Sequence, residues 1–160
     1  MIESQKVVQE WATPPPDEIV KISKMHVQGL EATTAEEAWF QGGMHYVVLR
    51  TVGRKTGAEH KVALPLWRDP DGVRVVVASF AGAEKNPSWL VNMADRAANP
   101  EVLVRHAKGS YWSAQEILDG GPEHARLYAL LCEDRAWYAD YQKKTNRTIP
   151  LVRLPETRPA

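Results

Sequence analysis

The sequence contains a single cysteine, Cys132, and this scarcity limits the chemistry that the chain can support. An intrachain disulfide is excluded, as is typical of proteins in a reducing cytoplasm. Because Leu130 and Leu131 precede Cys132 in an apolar helical run, we expect its thiol to be buried and structural rather than nucleophilic. No pair of the five histidines shows ligand spacing with the cysteine, so we predict no metal site.

Long apolar runs are also missing. No stretch approaches the ~18 apolar residues that a membrane-spanning helix needs. Residues 1–10 lack the apolar core of a secretory signal. These absences predict a cytoplasmic protein.

A net charge of one sign is lacking as well. The 20 lysines and arginines equal the 20 aspartates and glutamates, which disfavours a nucleic-acid-binding protein held by a strong overall field. A local basic pocket is compatible with this balance. The sequence shows no Ser/His/Asp grouping and no nucleophile elbow. We interpret the Glu36-Glu37 pair as a solvated helix face rather than an acid/base couple.

The rest of the composition is that of a globular protein. Hydrophobic residues make up 44% and charged residues 25% of 160 residues, which is enough for one domain with a core. Six tryptophans and five tyrosines are many for this length. Core packing explains most of them, and we expect some to line a site for a planar ligand.

Apolar periodicity and turn residues predict an α+β fold. Helices are expected over residues 17–31, 87–97, 122–134 and 137–141. β-branched and aromatic runs predict strands over residues 45–52, 60–68, 73–79, 101–107, 111–118 and 148–154. About six mainly antiparallel strands with flanking helices indicate a small barrel, closed or split.

A glycine-bracketed turn, Gly53-Arg54-Lys55-Thr56-Gly57, follows the first long strand. A tight turn exposes backbone N–H groups, and arginine adds a forked donor for phosphate or carboxylate. The spacing is not that of a Walker A loop. The turn is therefore either an anion-binding corner, to which His60 could add, or a solvated basic hairpin tip.

A loop that begins with small residues, 81–86, runs from a buried strand toward a helix that we expect to begin at Pro87 with Asn86 as its cap. Small side chains let a flat ring approach the backbone, and a helix N-terminus with Lys85 nearby can hold an anion. The alternative is an ordinary strand-to-helix connection.

Two tyrosines, Tyr138 and Tyr141, are three residues apart on the last helix and share one of its faces. They could wall a pocket and donate hydroxyl groups to a substrate oxygen. Plain core packing is the competing interpretation.

These motifs in this order resemble the deazaflavin-dependent nitroreductase family of actinobacteria, which are F420H2-dependent oxidoreductases and quinone reductases. The resemblance covers about residues 45–155. The matching segments are residues 51–57, 64–67, 78–79, 82–89 with Asn92, 138–142 with Arg147, and 149–150. It implies a split β-barrel and a division into an N-terminal segment with an amphipathic helix (1–44), a deazaflavin-binding domain (45–155) and a tail (156–160).

The resemblance also implies a site for coenzyme F420, an 8-hydroxy-5-deazaflavin with a phosphate and an oligoglutamate tail. The tail would be held by Arg54, Lys55 and Thr56. The ring would be lined by Val62, Ala63, Leu64, Pro65, Leu66, Trp67, Val77, Ala78, Ser79 and Phe80. The phosphate side would be completed by Lys85, Ser88, Trp89 and Asn92. The acceptor would face Trp67, Ser79, Tyr138 and Tyr141. Of these, Ser79, Tyr138 and Tyr141 are the candidate catalytic donors, and Tyr138 would also contact the coenzyme.

The implied activity is hydride transfer from reduced F420 to quinones, activated alkenes such as enones, or nitroaromatics. Because such barrels also bind FMN or haem, an FMN-dependent oxidoreductase is the nearest rival, and a non-catalytic F420 carrier is another. No nucleic-acid partner is expected. The helix over residues 17–31 could place the protein peripherally at the inner face of the cell membrane, although packing on the domain is the commoner outcome.

Overall fold

The computed structural model describes residues 6–9 and 12–160 of the chain. Four α-helices occur in this part: α1 (Pro16–Glu31), α2 (Ser88–Ala94), α3 (Gly121–Asp134) and α4 (Trp137–Lys143). The first five strands are β1 (Phe40–Gln41), β2 (Met44–Val52), β3 (Glu59–Pro65), β4 (Trp67–Arg68) and β5 (Arg74–Val77). The others are β6 (Val102–His106), β7 (Gly109–Ser113), β8 (Glu116–Leu118), β9 (Leu151–Leu154) and β10 (Arg158–Pro159).

The strands form two antiparallel sheets. A six-stranded sheet has the order β1-β2-β6-β7-β10, with β3 paired to β2, and a four-stranded sheet has the order β4-β5-β9-β8. In the described part of the chain neither sheet closes on itself as a barrel. The α+β class and the antiparallel pairing are confirmed.

In the described residues ten strands form instead of the six expected, because two expected strands are divided between the sheets and β1 and β10 lie outside the expected runs. The run over 60–68 breaks at Leu66, so β3 joins the first sheet and β4 the second. The run over 111–118 breaks at residues 114–115, so β7 and β8 also separate. The last residues contribute β10, in which Arg158 lies opposite Trp112 of β7.

Strand β2 is buried on both of its faces. Val47 and Leu49 point into a core cluster that includes Val76 and Val104. Val48 points to the other face, where it packs with Val27 of α1 in a separate cluster. The β-branched run of β2 therefore reflects burial on both sides.

Helix α1 covers the outer edge of the first sheet. Its buried residues, Val27 and Leu30, pack in one cluster with Ala63 of β3. The backbone N–H of Ala63 donates to Ser23 Oγ over 3.1 Å, so the helix also satisfies a donor of the edge strand. The helix predicted over 17–31 is confirmed, with Pro16 in its first turn.

Helix α2 is shorter than predicted, and Asn86 does not cap it. The N-cap residue is Pro87, which has no side chain able to cap. The carbonyl oxygen of the Asn86 side chain instead accepts a hydrogen bond from Arg147 over 2.8 Å. A long-range ion-dipole contact thus replaces the local cap that the sequence predicted.

No helix in the described residues is long and apolar enough to span a membrane.

Candidate functional site

The cationic turn between β2 and β3 is closed by its own backbone. Gly53 N–H donates to Ala58 O over 2.7 Å, and Gly57 N–H donates to Gly53 O over 2.9 Å. A Cβ at Gly53 would lie 2.9 Å from Nε2 of His60, so the imidazole ring of this exposed histidine packs directly over the glycine. Arg54, Lys55 and Thr56 are exposed on the outside of the turn.

Asn92 of α2 orients Arg54. Its side-chain oxygen, Oδ1, accepts from Arg54 Nη1 over 2.7 Å. The buried Asn99 supports this contact, because its Nδ2 donates to the carbonyl oxygens of both Asn92 and Val52. The turn is therefore attached to α2 rather than free in solvent.

The loop that follows β5 has an unusual backbone. Three consecutive residues have positive φ angles: Phe80 at 45°, Ala81 at 56° and Gly82 at 79°. For residues other than glycine this region costs about 1–3 kcal/mol each and is retained mainly at functional sites.

Arg147 holds this loop in place with four hydrogen bonds. Its guanidinium donates to the carbonyl oxygens of Ala78 (3.2 Å), Ser79 (2.8 Å) and Ala83 (2.8 Å). The fourth bond goes to Asn86 Oδ1. A planar guanidinium with five donors suits such a set of diverging acceptors. The strained backbone is thus fixed from outside by a residue more than sixty positions later in the chain.

Gly82 should be intolerant of any side chain. A Cβ there would lie 2.6 Å from the carbonyl oxygen of Tyr141, and the φ of 79° is itself unfavourable for alanine. We expect Gly82→Ala to lower the free energy of unfolding by about 3 kcal/mol in urea titration. Gly57→Ala is the matched control: its φ is 73° but a Cβ there meets nothing within 4 Å, so about 1 kcal/mol is expected. Equal losses would contradict the close approach.

The two predicted tyrosines lie in a buried aromatic cluster with Trp67. Tyr138 and Tyr141 meet edge-on with ring centroids 5.8 Å apart. Trp67 packs in the same cluster, and its Nε1 donates to Asp134 Oδ2 over 2.8 Å. Burial raises the pKa of Tyr138 to about 12, although the charge of Arg135 acts in the opposite direction. Tyr138 therefore keeps its proton at neutral pH.

The N-terminal segment covers Tyr141. The hydroxyl groups of Tyr141 and Thr13 share a hydrogen bond of 2.8 Å, and Gln9 Nε2 donates to Thr13 Oγ1 over 3.1 Å. Val7 N–H donates to the Asp134 carbonyl oxygen over 2.9 Å. A molecule that reaches Tyr141 must therefore displace this segment.

The residues predicted to line the ring, the phosphate side and the acceptor side do not all face one space. The alternation of strand side chains directs one group into the cluster between the sheets: Val62, Leu64, Leu66, Ala78 and Trp89. A second group, Trp67, Val77, Tyr138 and Tyr141, lies in the aromatic cluster. Ala63 packs under α1. Pro65 is the last residue of β3, and Ser79 and Phe80 lie in the loop after β5. Lys85 and Ser88 are exposed.

Three residues to which the sequence assigned no role organise the site. Arg147 belongs to one of the segments that match the family, but the sequence does not show which residues its side chain contacts. Its hydrogen bonds to the loop join residues that are distant in sequence. From the sequence, the pair Asn99-Pro100 predicted only the end of a helix, and nothing indicated that the Asn99 side chain would support Asn92. Arg135 gave no signal at all, because a single arginine between two helical segments is normally solvated.

Other potential sites carry less chemistry. An open pocket of about 340 Å³ is lined by residues 143–147 and Glu84, and none of the predicted site residues lines it. Within the described residues no group of three or more His, Cys, Asp or Glu side chains could hold a metal ion.

Cys132 is half-buried rather than fully buried, and burial raises the pKa of its thiol. A raised pKa disfavours the nucleophilic thiolate.

Known proteins are similar to this chain in sequence and in fold. The sequence profile of the F420H(2)-dependent quinone reductase family matches residues 21–156. An F420H(2)-dependent quinone reductase of Mycobacterium tuberculosis is 33% identical over 110 residues, covering 68% of this chain and 71% of that protein. A solved F420-H2-dependent reductase is 32% identical with a TM-score of 0.57, covering 69% of this chain and 93% of that one. A structure described as a domain-swapped dimer is 29% identical with a TM-score of 0.59, covering 88% of this chain and 99% of that one.

Proposed function

Because this chain belongs to the F420H2-dependent quinone reductase family, we propose that it reduces quinones with F420H2 and extends this reaction to activated alkenes and nitroaromatics. Membership makes the chain an oxidoreductase with coenzyme F420 as its cofactor, and it confirms the resemblance found in the motifs. The proposal depends most on one observation, the exposed cationic turn that Asn92 braces against α2.

The donor set of the turn fits the anionic tail of the coenzyme. Arg54 and Lys55 are exposed cations, and Thr56 adds a hydroxyl group. No ion pair of Lys55 occurs within the part of the chain that the structure describes. Because Asn92 already orients Arg54, little side-chain freedom is lost when a phosphate or carboxylate binds.

The loop clamped by Arg147 fits the ring of the coenzyme. Apart from Phe80, the residues of this loop have small side chains, so no long side chain stands between its backbone and a flat ligand. In our proposal the two sheets are the halves of a split β-barrel, residues 45–155 form the deazaflavin-binding unit, and Lys85, Ser88 and Trp89 lie on the phosphate side.

The acceptor side is assigned to the aromatic cluster. When bound, the reduced deazaflavin supplies a hydride. Its addition to a quinone or enone builds negative charge on oxygen, and hydrogen-bond donors aimed at that oxygen stabilise the transition state. Tyr138, Tyr141 and Ser79 are the proposed donors, and a tyrosine that keeps its proton can also deliver it.

The exposed face of α1 supports a peripheral membrane contact, which would give access to lipid-soluble quinones. Ile22 and Met25 are exposed there, together with the cationic Lys21 and Lys24. An apolar surface flanked by lysines is suited to an anionic lipid headgroup region.

The function is tested by ligand titration followed by turnover. The protein is titrated separately with F420, FMN and haem, and the reduced form of the tightest ligand is assayed with quinones, enones and nitroaromatics. We expect F420 to bind most tightly and quinones to be reduced. Preferential binding of FMN, or tight F420 binding without reduction of any acceptor, would overturn the proposal.

Lys55→Ala should weaken F420 binding more as the oligoglutamate tail lengthens. Each added carboxylate extends the charge that Lys55 neutralises, so we expect roughly a tenfold loss of affinity for a long-tailed coenzyme. The loss for a coenzyme without glutamates should be much smaller. Lys108→Ala, in the exposed turn between β6 and β7, is the control and should change neither affinity. An equal loss for tailed and tailless coenzyme would contradict the placement of Lys55.

A further inference from the structure

Arg135 is a buried guanidinium at the junction of α3 and α4. The residue is only 2% exposed and is among the largest fully buried side chains of the protein. A guanidinium keeps its charge in proteins, and removing that charge from water is strongly unfavourable unless the surroundings compensate. The junction itself is irregular, with Arg135 at φ −140° and ψ 80° between two helices.

The groups around Arg135 are oxygen atoms that can carry negative charge. The backbone N–H of Tyr138 donates to the carbonyl oxygen of Arg135 over 3.2 Å, which places the two residues in one turn. Among the described residues, the guanidinium is hydrogen-bonded to the side chain of Tyr138 and also lies near the hydroxyl of Tyr46 and the carboxylate of Asp134. Burial lowers the pKa of Arg135, and these three groups oppose that shift. Asp134 is shared, because its Oδ2 also accepts from Trp67.

Arg135 therefore acts on the residue that the proposed function places against the acceptor. Tyr138 is 4% exposed, and its side chain is hydrogen-bonded to that of Trp137. Arg135, Tyr141 of the same helix and Tyr46 of β2 also lie near its hydroxyl. In such a site a phenolate without a cation beside it would be unstable. A neighbouring guanidinium makes the hydroxyl a stronger hydrogen-bond donor and stabilises the phenolate that remains after proton transfer.

We propose that Arg135 is a positioning residue for acceptor reduction: it aims the Tyr138 hydroxyl at the acceptor oxygen and stabilises the charge left on Tyr138 when that hydroxyl gives up its proton. This inference rests on the proposed function. A quinone becomes a hydroquinone by gaining a hydride and a proton. The hydride comes from reduced F420, whose accompanying proton passes to solvent. The other proton comes from Tyr138, which regains one from water.

The first test compares Arg135→Met and Arg135→Lys with the wild type over a series of quinones whose hydroquinone anions differ in basicity. We expect Arg135→Met to lower kcat/KM roughly 100-fold, with the loss growing as the anion becomes more basic, and Arg135→Lys to recover part of it. Arg126→Met, an exposed arginine of α3, is the control. A purely structural role would lower kcat/KM by one factor for all quinones.

The second test needs no coenzyme. Quenching of tryptophan fluorescence reports binding near Trp67 and Trp137, the latter with its ring centroid 5.3 Å from that of Tyr138. The paired probes are 2-hydroxy-1,4-naphthoquinone, which is an anion at neutral pH, and the neutral 2-methyl-1,4-naphthoquinone. We expect Arg135→Met to weaken binding of the anion roughly tenfold and to leave the neutral quinone unchanged. If the methionine variant does not fold, Arg135→Gln, which also removes the charge but keeps hydrogen-bond donors, provides the same comparison, and Arg135→Lys, which keeps the charge, should retain binding of the anion.

The outcomes separate the two proposals. If the wild-type protein reduces no quinone with F420H2, the proposed function fails. If it does and the Arg135 variants lose the same factor for every quinone, or bind both naphthoquinones equally less well, the role of Arg135 is structural and the inference fails. A loss that depends on anion basicity, together with selective loss of the anionic probe, supports it.

Discussion

Replacing Arg147 with methionine should lower the free energy of unfolding by ~3–5 kcal/mol and abolish measurable F420 binding. Methionine has a similar length but no donors, so three carbonyl oxygens and Asn86 Oδ1 lose their partner. The positive φ angles at Phe80 and Ala81 then have nothing to hold them, and the loop relaxes. For a protein of this size the melting temperature should fall by about 10 °C.

Differential scanning calorimetry and F420 titration measure these two effects. Arg147→Lys should recover only part of the stability, because one ammonium group cannot reach four diverging acceptors. Arg126→Met removes an exposed arginine paired with Glu123 and should change both quantities little. Near-wild-type melting and affinity in Arg147→Met would show that the loop holds its conformation unaided.

Replacing Tyr138 with phenylalanine should lower kcat with quinones by ~30- to 1000-fold, which corresponds to ~2–4 kcal/mol of transition-state stabilisation. The ring is kept, so packing against Tyr141 changes little. Tyr141→Phe should have the smaller effect, because its hydroxyl is already bonded to Thr13. Burial raises the pKa of Tyr138 to about 12, so ionisation of this residue should cause no fall in kcat up to about pH 10.

The control is Tyr111→Phe, which removes a buried hydroxyl that donates to the Leu154 carbonyl oxygen over 2.7 Å. This variant should lose stability and leave kcat unchanged. Steady-state kinetics with saturating F420H2 measure all three variants. Unchanged turnover in both Tyr138→Phe and Tyr141→Phe would remove the tyrosines from the mechanism.

The parts of the fold that the sequence predicted are those set by local preference. The β-branched run of β2 and the proline at the start of α1 act within a few residues, and both elements were predicted within one residue. The division of the sheets at Leu66 has no local signal. It depends on whether β4 pairs with β5 or continues along β2, which is decided by contacts distant in sequence.

The candidate site divides in the same way. The cationic turn was predictable because glycines, cations and a hydroxyl group stand together in one short segment. The space that each ring-lining side chain enters was not predictable, because it depends on the break at Leu66 that moves Trp67 to the second sheet. The hydrogen bond from Arg147 to Asn86 joins residues that are distant in sequence, so the sequence did not predict it. The sequence instead predicted Asn86 as the N-cap of α2.

The clamp on the 78–83 loop also decides when the protein can become active during synthesis. Strand β5 pairs with β9, and the arginine that fixes the loop lies just ahead of β9, more than sixty residues after the loop. A ribosome that has produced the first 140 residues has released the cationic turn and the loop, yet neither the arginine nor β9 exists to complete them. Coenzyme capture therefore waits until Arg147 and β9 have been synthesised, and a chain that terminates before them should be unable to bind it.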